Sequence, residues 1–322
     1  MKKIVPDKNL PAVTVIITVL NEAKNVESLV KALAKQIKLP REVIIVDGGS
    51  SDETLVKLKK LSFQYSKLNL KIAQQVGNRS VGRNKAITLS KTEWLAITDA
   101  GCIPDKNWLA ELFNMQKKTN ALIVGGYFYG LTKTGFQQAV TAYALTMPRL
   151  IVNNFLLPTT RSMLIQRKVL EALAGFNEKL ADNEDYVLAC QLVRKGYRQR
   201  MAFAPRAKVG WLPPSTWSKF VKTIYRFARG DTYAGIWRPK VILIFARYLV
   251  ALVLLLFGLV YQSDFLLSLL TLSFFLYCLW AIIKNYSSAK KGWYYLPLFQ
   301  ITSDLTVMSG SLVGYLKRLT RT

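Results

Sequence analysis

The runs YLVALVLLLFGLVY (248–261) and FLLSLLTLSFFLYCLWAII (265–283) are separated only by Gln262, Ser263 and Asp264. Inside hydrocarbon every backbone N–H and C=O must pair within its own segment, so apolar runs of this length close as helices. The second matches one bilayer thickness, about 20 residues as a helix. The first reaches that length when residues 241–246 and a snorkelling Arg247 are included. The pattern predicts a membrane-embedded helical hairpin over about 241–283. Arg238, Lys240 and Arg247 precede it and Lys284, Lys290 and Lys291 follow, while the turn carries no positive residue. By the positive-inside rule both ends face the cytoplasm. The N-terminal MKKIVPDKNLPAVTVI has too short and broken an apolar stretch for a cleaved signal, which keeps the first 240 residues on that side.

A third segment, WYYLPLFQITSDLTVMSGSLVGYLKRL (293–319), admits an interfacial or re-entrant placement, or a third span. Spanning would put Asp304 near mid-membrane, at roughly 2.5–3.5 kcal/mol, and would export Lys317, Arg318 and Arg321. The interfacial or re-entrant placement avoids both costs. Two domains are expected: 1–235, which carries the chemistry, and 236–322, the membrane part.

The first 130 residues alternate short β-rich runs with helical stretches. VTVIIT (13–18), REVIIVD (41–47), LKIAQQ (70–75), EWLAITD (93–99) and ALIVGGYF (121–128) read as strands. Helices are expected over about 23–35, 52–62, 81–90 and 105–117. Near-continuous apolar strands alternating with helices predict an α/β fold, a mostly parallel sheet covered on both faces. Ligands bind such sheets at the carboxyl ends of the strands. Asn21 and Glu22 follow the first strand, Asp47 ends the second and Asp99 the fourth, so distant polar groups converge on one edge. Individually, Glu22 also suits a helix start and Asp52 a helix cap.

Composition narrows the chemistry. Cys102, Cys190 and Cys278 are isolated, and there is no histidine, which removes Ser-His and Cys-His pairs and leaves a carboxylate first, and a lysine or tyrosine after it, as the general base. The net charge of +26 calls for a polyanionic neighbour: nucleic acid, anionic lipid or a phosphorylated substrate. VDGGSSDET (46–54) offers a tight glycine turn, but neither a Walker loop nor GxGxxG is present. GNRSVGRNKA (77–86) adds Arg79, Arg83, Asn84 and Lys85, whose fork-like donors suit a diphosphate and equally suit a solvated helix start.

VIITVLNEAKNVESLVKAL, VIIVDGGSSDET, VGRNKAI, WLAITDAGCIPDKNWL and ADNEDYVLACQLVRKGYR occur in the order and spacing of family 2 glycosyltransferases of the GT-A fold, which the chain resembles over about residues 12–235. With FVKTIYRFARGD and its apolar tail, it looks like membrane-bound bacterial enzymes that assemble surface polysaccharides or glycolipids. The resemblance implies a nucleotide-sugar donor, usually a uridine diphosphate sugar. It implies that Glu22 and Asp47, beside Asn21, hold ribose and base, that Arg83 and Asn84 lie beside the nucleotide near Arg79, and that Asp99, first aspartate of an Asp-x-Asp motif, faces the diphosphate and a divalent magnesium or manganese ion. Position 101 is Gly, so the usual second metal-facing carboxylate is missing.

On the acceptor side the resemblance implies Asp185 as base, with Glu184 as its support or acceptor-orienting partner; the DNED run also caps a helix with favourable charge. TIYRFARGD (223–231) is similar to the Gln-x-x-Arg-Trp motif of processive relatives, so Arg226 or Arg229 would clamp the diphosphate; a basic helix lying on anionic lipid fits the same residues. The apolar segment 136–165 reads either as a headgroup-level surface for a lipid-linked acceptor or as core. The expected function is an inverting hexosyl transfer to a lipid-linked or saccharide acceptor, at the bacterial cytoplasmic membrane with the catalytic domain cytoplasmic. Two alternatives are transfer to a polyprenyl phosphate and a non-catalytic basic protein binding membrane or nucleic acid. Convergent carboxylates oppose the last, and no nucleic acid partner is expected.

Overall fold

The computed structural model describes residues 11–148, 151 and 156–320. The N-terminal decapeptide, part of the apolar 136–165 segment and Arg321 lie outside the described residues. In chain order the elements are β1 (Val13–Val19), α1 (Val26–Ala34), β2 (Glu42–Asp47), α2 (Thr54–Gln64), β3 (Leu70–Gln74), α3 (Arg79–Leu89), β4 (Trp94–Ile97), β5 (Cys102–Pro104), α4 (Trp108–Thr119), β6 (Ile123–Gly130) and α5 (Gly135–Ala144). They continue with β7 (Met163–Gln166), α6 (Arg167–Ala172), α7 (Glu184–Arg194), β8 (Met201–Trp211), α8 (Trp217–Tyr233), α9 (Pro239–Val260), α10 (Asp264–Asn285) and α11 (Leu296–Leu319). They form two compact units: Met1–Tyr129 with Arg149–Leu212, and Gly130–Pro148 with Pro213–Thr322.

The first unit is built on an eight-stranded sheet in the order β3-β2-β1-β4-β7-β6-β8-β5. β3, β2, β1 and β4 are parallel, with Val19 beside Asp47 and Ile16 beside Ile97. β7 runs against β4 and β6, and β5 runs against β8. β1 to β4 and β6 are the strands that the sequence pattern predicts; β5, β7 and β8 widen the sheet with antiparallel pairing.

Both faces are buried, which explains why the strands read as continuous apolar runs rather than alternating ones. Val13, Val15, Ile17, Val43 and Ile45 meet residues of α1, α2 and α4 on one face. Ile16, Ile44 and Val46 meet α3, α6 and α7 on the other. Complete burial of each such side chain favours folding by about 1.5–3 kcal/mol over leaving it exposed.

The second unit has a small aromatic core of its own. Phe299 of α11 lies 4.5 Å from Phe220 and 4.6 Å from Trp217 of α8, and Phe136 of α5 joins it at 5.2 Å. α8 and α11 approach closely because α11 offers glycine: a Cβ at Gly310 or Gly314 would lie 2.8 or 2.3 Å from the carbonyl oxygens of Tyr225 and Arg229. Small residues four apart allow this backbone contact. Thr232 Oγ1 donates across it to the Ser311 carbonyl at 2.8 Å.

α9 and α10 are long and apolar enough to cross a membrane. Leu243, Val260 and Phe265 are 67%, 74% and 76% exposed in the chain, so their apolar faces meet no protein. Residues 296–319 form one continuous helix, and the carboxylate that makes spanning expensive is enclosed within the unit. Asp304 is 2% exposed and accepts from Arg247 at 2.8 Å, Tyr277 at 2.5 Å, Tyr248 at 3.3 Å and Gln300 at 3.0 Å. Arg247 pairs with Asp304 and lies over the Tyr277 ring at 4.4 Å. One carboxylate thus ties α9, α10 and α11 together.

Asp304→Ala leaves a guanidinium and two phenols without their shared acceptor. Interhelical hydrogen bonds average about 0.6 and reach about 1.7 kcal/mol each, so a loss on the order of 2–4 kcal/mol is expected. It would appear as a lower melting temperature in detergent, with Asp304→Asn retaining part of the stability; an unchanged melting temperature for Asp304→Ala would refute the assignment.

Candidate active site

β1, β2 and β4 point the same way, so the residues after them share one edge of the sheet. After β1, Asn21 and Glu22 are knitted to the loop that follows β2. The Asn21 amide donates to Ser50 Oγ at 2.8 Å, Ser51 N donates back to Asn21 Oδ1 at 2.9 Å, and Glu22 N donates to Thr54 Oγ1 at 2.8 Å. Asp52 accepts from the amides of Thr54 and Ala23. It braces two loops rather than capping α2, which begins at Thr54.

Asp47 is fully buried and bonded within its own turn. Its Oδ2 accepts from Gly49 N at 3.1 Å and Ser50 N at 3.0 Å, and its Oδ1 from Ser50 Oγ. Gly49 has φ +100°, the left-handed conformation that this turn needs. Asp47 therefore shapes the loop that any ligand at this edge would meet.

The β3-to-α3 connection builds the other side. α3 starts at Arg79, two residues before the sequence pattern places it, because Asn78 Oδ1 caps Ser80 N and Val81 N at 2.9 and 3.2 Å. Asn78 Nδ2 and Ser80 Oγ donate to the carbonyls of Glu178 and Leu180. Asn84 donates to the Phe176 carbonyl and Glu178 Oε1 and accepts from Phe176 N, so its amide is engaged by the loop leading to α7. Gly82 lets α3 sit on β1, since a Cβ there would be 2.7 Å from Thr18 Cγ2.

Arg83, next to Gly82, is 1% exposed. It donates to Glu184 Oε1 at 2.5 Å, to Asp99 Oδ1 at 2.8 Å and to Thr160 Oγ1 at 3.0 Å. An unpaired buried guanidinium would be prohibitively costly, so these partners are obligatory. Burial acts to lower the Arg83 pKa, but the charges of Glu184 and Asp99 outweigh it and raise it, with Asp185 adding to the effect. One side chain thus joins the end of β4 to the start of α7. Glu184 is 3% exposed and its Oε2 is without a protein partner, while Asp185, one residue on, is half-buried with Oδ1 accepting from Tyr186 N.

Asp99 lies in a turn closed by Cys102 N on its carbonyl at 3.1 Å. Its side chain is 30% exposed, against 3% for Glu184. Burial pushes its pKa up, but Arg83 first, then Arg161 and Arg79, hold it below the usual carboxylate range. Glu22 is shifted the other way, chiefly by burial, and feels Arg79, Asp52 and Asp99. Asn21, Glu22, Asp47, Arg79, Arg83, Asn84, Asp99, Glu184 and Asp185 thus all belong to the first unit, whereas Arg226 and Arg229 lie on α8 of the second.

Thr160, which accepts from Arg83, and Arg161, whose charge acts on Asp99, join this cluster and were not singled out from the sequence. They lie in an apolar stretch whose one visible signal is an arginine flanking the β7 run.

A divalent ion takes oxygen ligands. Among the described residues no three histidine, cysteine, aspartate or glutamate side chains converge. Asp99 supplies one carboxylate, with Arg83 already on Oδ1, and the Cys102 thiol behind it is raised by burial and then by Asp99. The donor set does not fit an ion held by two motif carboxylates.

Residues 14–174 match Glycosyl transferase family 2, and residues 125–302 match Glycosyl transferase family group 2. The chain belongs to glycosyltransferase family 2. It is 26% identical over 227 residues to glycosyltransferase AglE of Haloferax volcanii, covering 69% of this chain and 73% of that protein. Its fold is similar to that of mannosyltransferase PcManGT from Pyrobaculum calidifontis, solved with GDP-Man and Mn2+, with TM-score 0.59 and 20% identity over 98% of this chain and 89% of that one. It is also similar to S. aureus TarS 1-349 solved with UDP-GlcNAc, with TM-score 0.50 and 20% identity over 67% of this chain and 65% of that one. The fold is thus the GT-A type, and the non-catalytic alternative falls away: this is a glycosyltransferase.

Because the Asp99 pKa is depressed in the fold, its ionic contribution is complete above the unfolded value near pH 4 and is lost as pH falls through the folded value. Denaturation across an acid pH series is expected to show wild type losing stability below about pH 4 more steeply than Asp99→Asn. Parallel curves would contradict the pairing.

Proposed function

We propose that this glycosyltransferase is an inverting enzyme that moves a sugar from a nucleotide diphosphate donor, of the uridine diphosphate class, to a lipid-linked or saccharide acceptor at the cytoplasmic face of a bacterial membrane. The observation that carries the reading is the Arg83 bridge, which holds a diphosphate-facing carboxylate, Asp99, and the start of the helix bearing Asp185 against one guanidinium. Asn21, Glu22 and the Asp47 loop receive ribose and base, and Arg79 and Arg83 lie beside the diphosphate. Two similar folds solved with UDP-GlcNAc and GDP-Man support a nucleotide-sugar donor.

In the proposed reaction Asp185 takes the proton of the acceptor hydroxyl as its oxygen attacks the anomeric carbon. The bond to the diphosphate oxygen breaks on the opposite face, configuration inverts, and guanidinium groups stabilise the charge that the diphosphate carries away. Glu184, paired to Arg83, holds the start of α7 so that Asp185 keeps its place.

α9 and α10 support a membrane location, and the basic residues flanking them support a cytoplasmic catalytic unit. An acceptor that stays in lipid suits a chain carrying both units. Arg226 and Arg229 retain two roles, a diphosphate clamp or contact with anionic lipid.

Asp185→Asn removes the base without removing charge from the arginines. Turnover, followed as nucleotide release from a panel of nucleotide-sugars, is expected to fall about 10²–10⁴-fold, with nucleotide affinity within about threefold of wild type. Normal turnover would overturn the base assignment and leave a lipid phosphate, which needs little base assistance, as the acceptor.

A further inference from the structure

The turn after β4 is one carboxylate short, and the space in front of it is open. A Cβ at Gly101 would meet nothing within 4 Å, and Gly101 is not in the left-handed region. A side chain there would be neither crowded nor strained.

Beside that turn the chain places Arg161. Thr98, one residue before Asp99, donates its hydroxyl to the Arg161 carbonyl at 2.9 Å. The preceding residue, Thr160, accepts from Arg83. The Arg161 guanidinium lies over the rings of Phe128 at 5.0 Å and Trp211 at 5.6 Å. Trp211 pairs with Cys102 across the sheet, and Leu212 N donates to the Gly101 carbonyl at 3.1 Å, so the Trp211 ring is anchored to the same turn. A planar cation held against two aromatic rings is pre-organised for bidentate contact with phosphate oxygens. The charge of Arg161 also acts on Asp99, together with those of Arg83 and Arg79.

We propose that Arg161 binds the donor diphosphate, and that the arginines around the Asp99 turn do the work that a metal held by a second carboxylate at position 101 would do, so that nucleotide binding needs no divalent ion. This rests on the nucleotide-sugar reading above. Arg161 takes a phosphate oxygen pair, and the Asp99 carboxylate holds the arginines in place.

Equilibrium binding of uridine diphosphate and guanosine diphosphate to the full chain in detergent tests this, in excess EDTA and in Mn2+. Wild type is expected to bind one of the two in EDTA within about threefold of its affinity in Mn2+. Arg161→Ala should weaken binding in EDTA by about tenfold or more, and Arg161→Lys, which keeps the charge but loses the fork, by less. Gly101→Asp, placed in open space, should weaken binding in EDTA and make Mn2+ restore it, which keeps the proposal falsifiable if Arg161→Ala does not fold. Wild-type binding that vanishes in EDTA and returns with Mn2+ would overturn the proposal while sparing the donor reading, as would wild-type affinity in Arg161→Ala. Binding of neither nucleotide under either condition would sink both.

Discussion

The site depends on a single buried guanidinium. Arg83 sits in α3, which reaches β1 because residue 82 has no side chain, and it is satisfied only when Asp99, Glu184 and Thr160 all face it. A buried ion pair is a poor source of net stability, since desolvation offsets much of the attraction, whereas removing one partner costs roughly 3–5 kcal/mol. The consequence is positional. Four segments distant in the chain, the first half of α3, the turn after β4, the residues before β7 and the start of α7, have one arrangement that leaves this guanidinium paired. Asp99 and Asp185 inherit their places from it.

Much of this was legible in the sequence. The parallel strands announced themselves because burial on both faces leaves no polar interruption, and Asp47 and Asp99 stood out because a carboxylate at the end of such a run has no packing reason to be there. Of the antiparallel half, only β6 was visible as a strand, in ALIVGGYF. β8, MAFAPRAKVGW, carries an arginine, a lysine and a proline within its length, and β7 is four residues inside a longer apolar stretch. Arg161 was hidden with it, since its proposed role depends on Phe128 and Trp211, which only the sheet brings to it.

Hydrogen-bond partners were the other blind spot. Asp47 and Asn84 were chosen by motif, and both are engaged with their own loops: Asp47 with the Gly49–Ser50 turn, Asn84 with residues 176–178. They build the walls of the edge at which the donor is proposed to bind. In the second unit the sequence flagged Asp304 as a cost. The structure converts that cost into a tie between three helices, because Arg247 and Tyr277 lie on the two neighbours that need fixing. If α9 and α10 lie in a membrane, as proposed, helix packing there has little hydrophobic drive, and polar contacts such as those of Asp304 carry much of the specificity.

The central claim is that Arg83 gathers the Asp99 turn and the start of α7 around one donor pocket. An experimental structure with an unreactive nucleotide-sugar analogue bound tests it most directly. The account places the diphosphate against the Asp99–Cys102 turn and the anomeric carbon within reach of Asp185, with Arg83 still joining Asp99 to Glu184. A donor seated away from that turn, or bound with the Arg83 bridge broken, would contradict it.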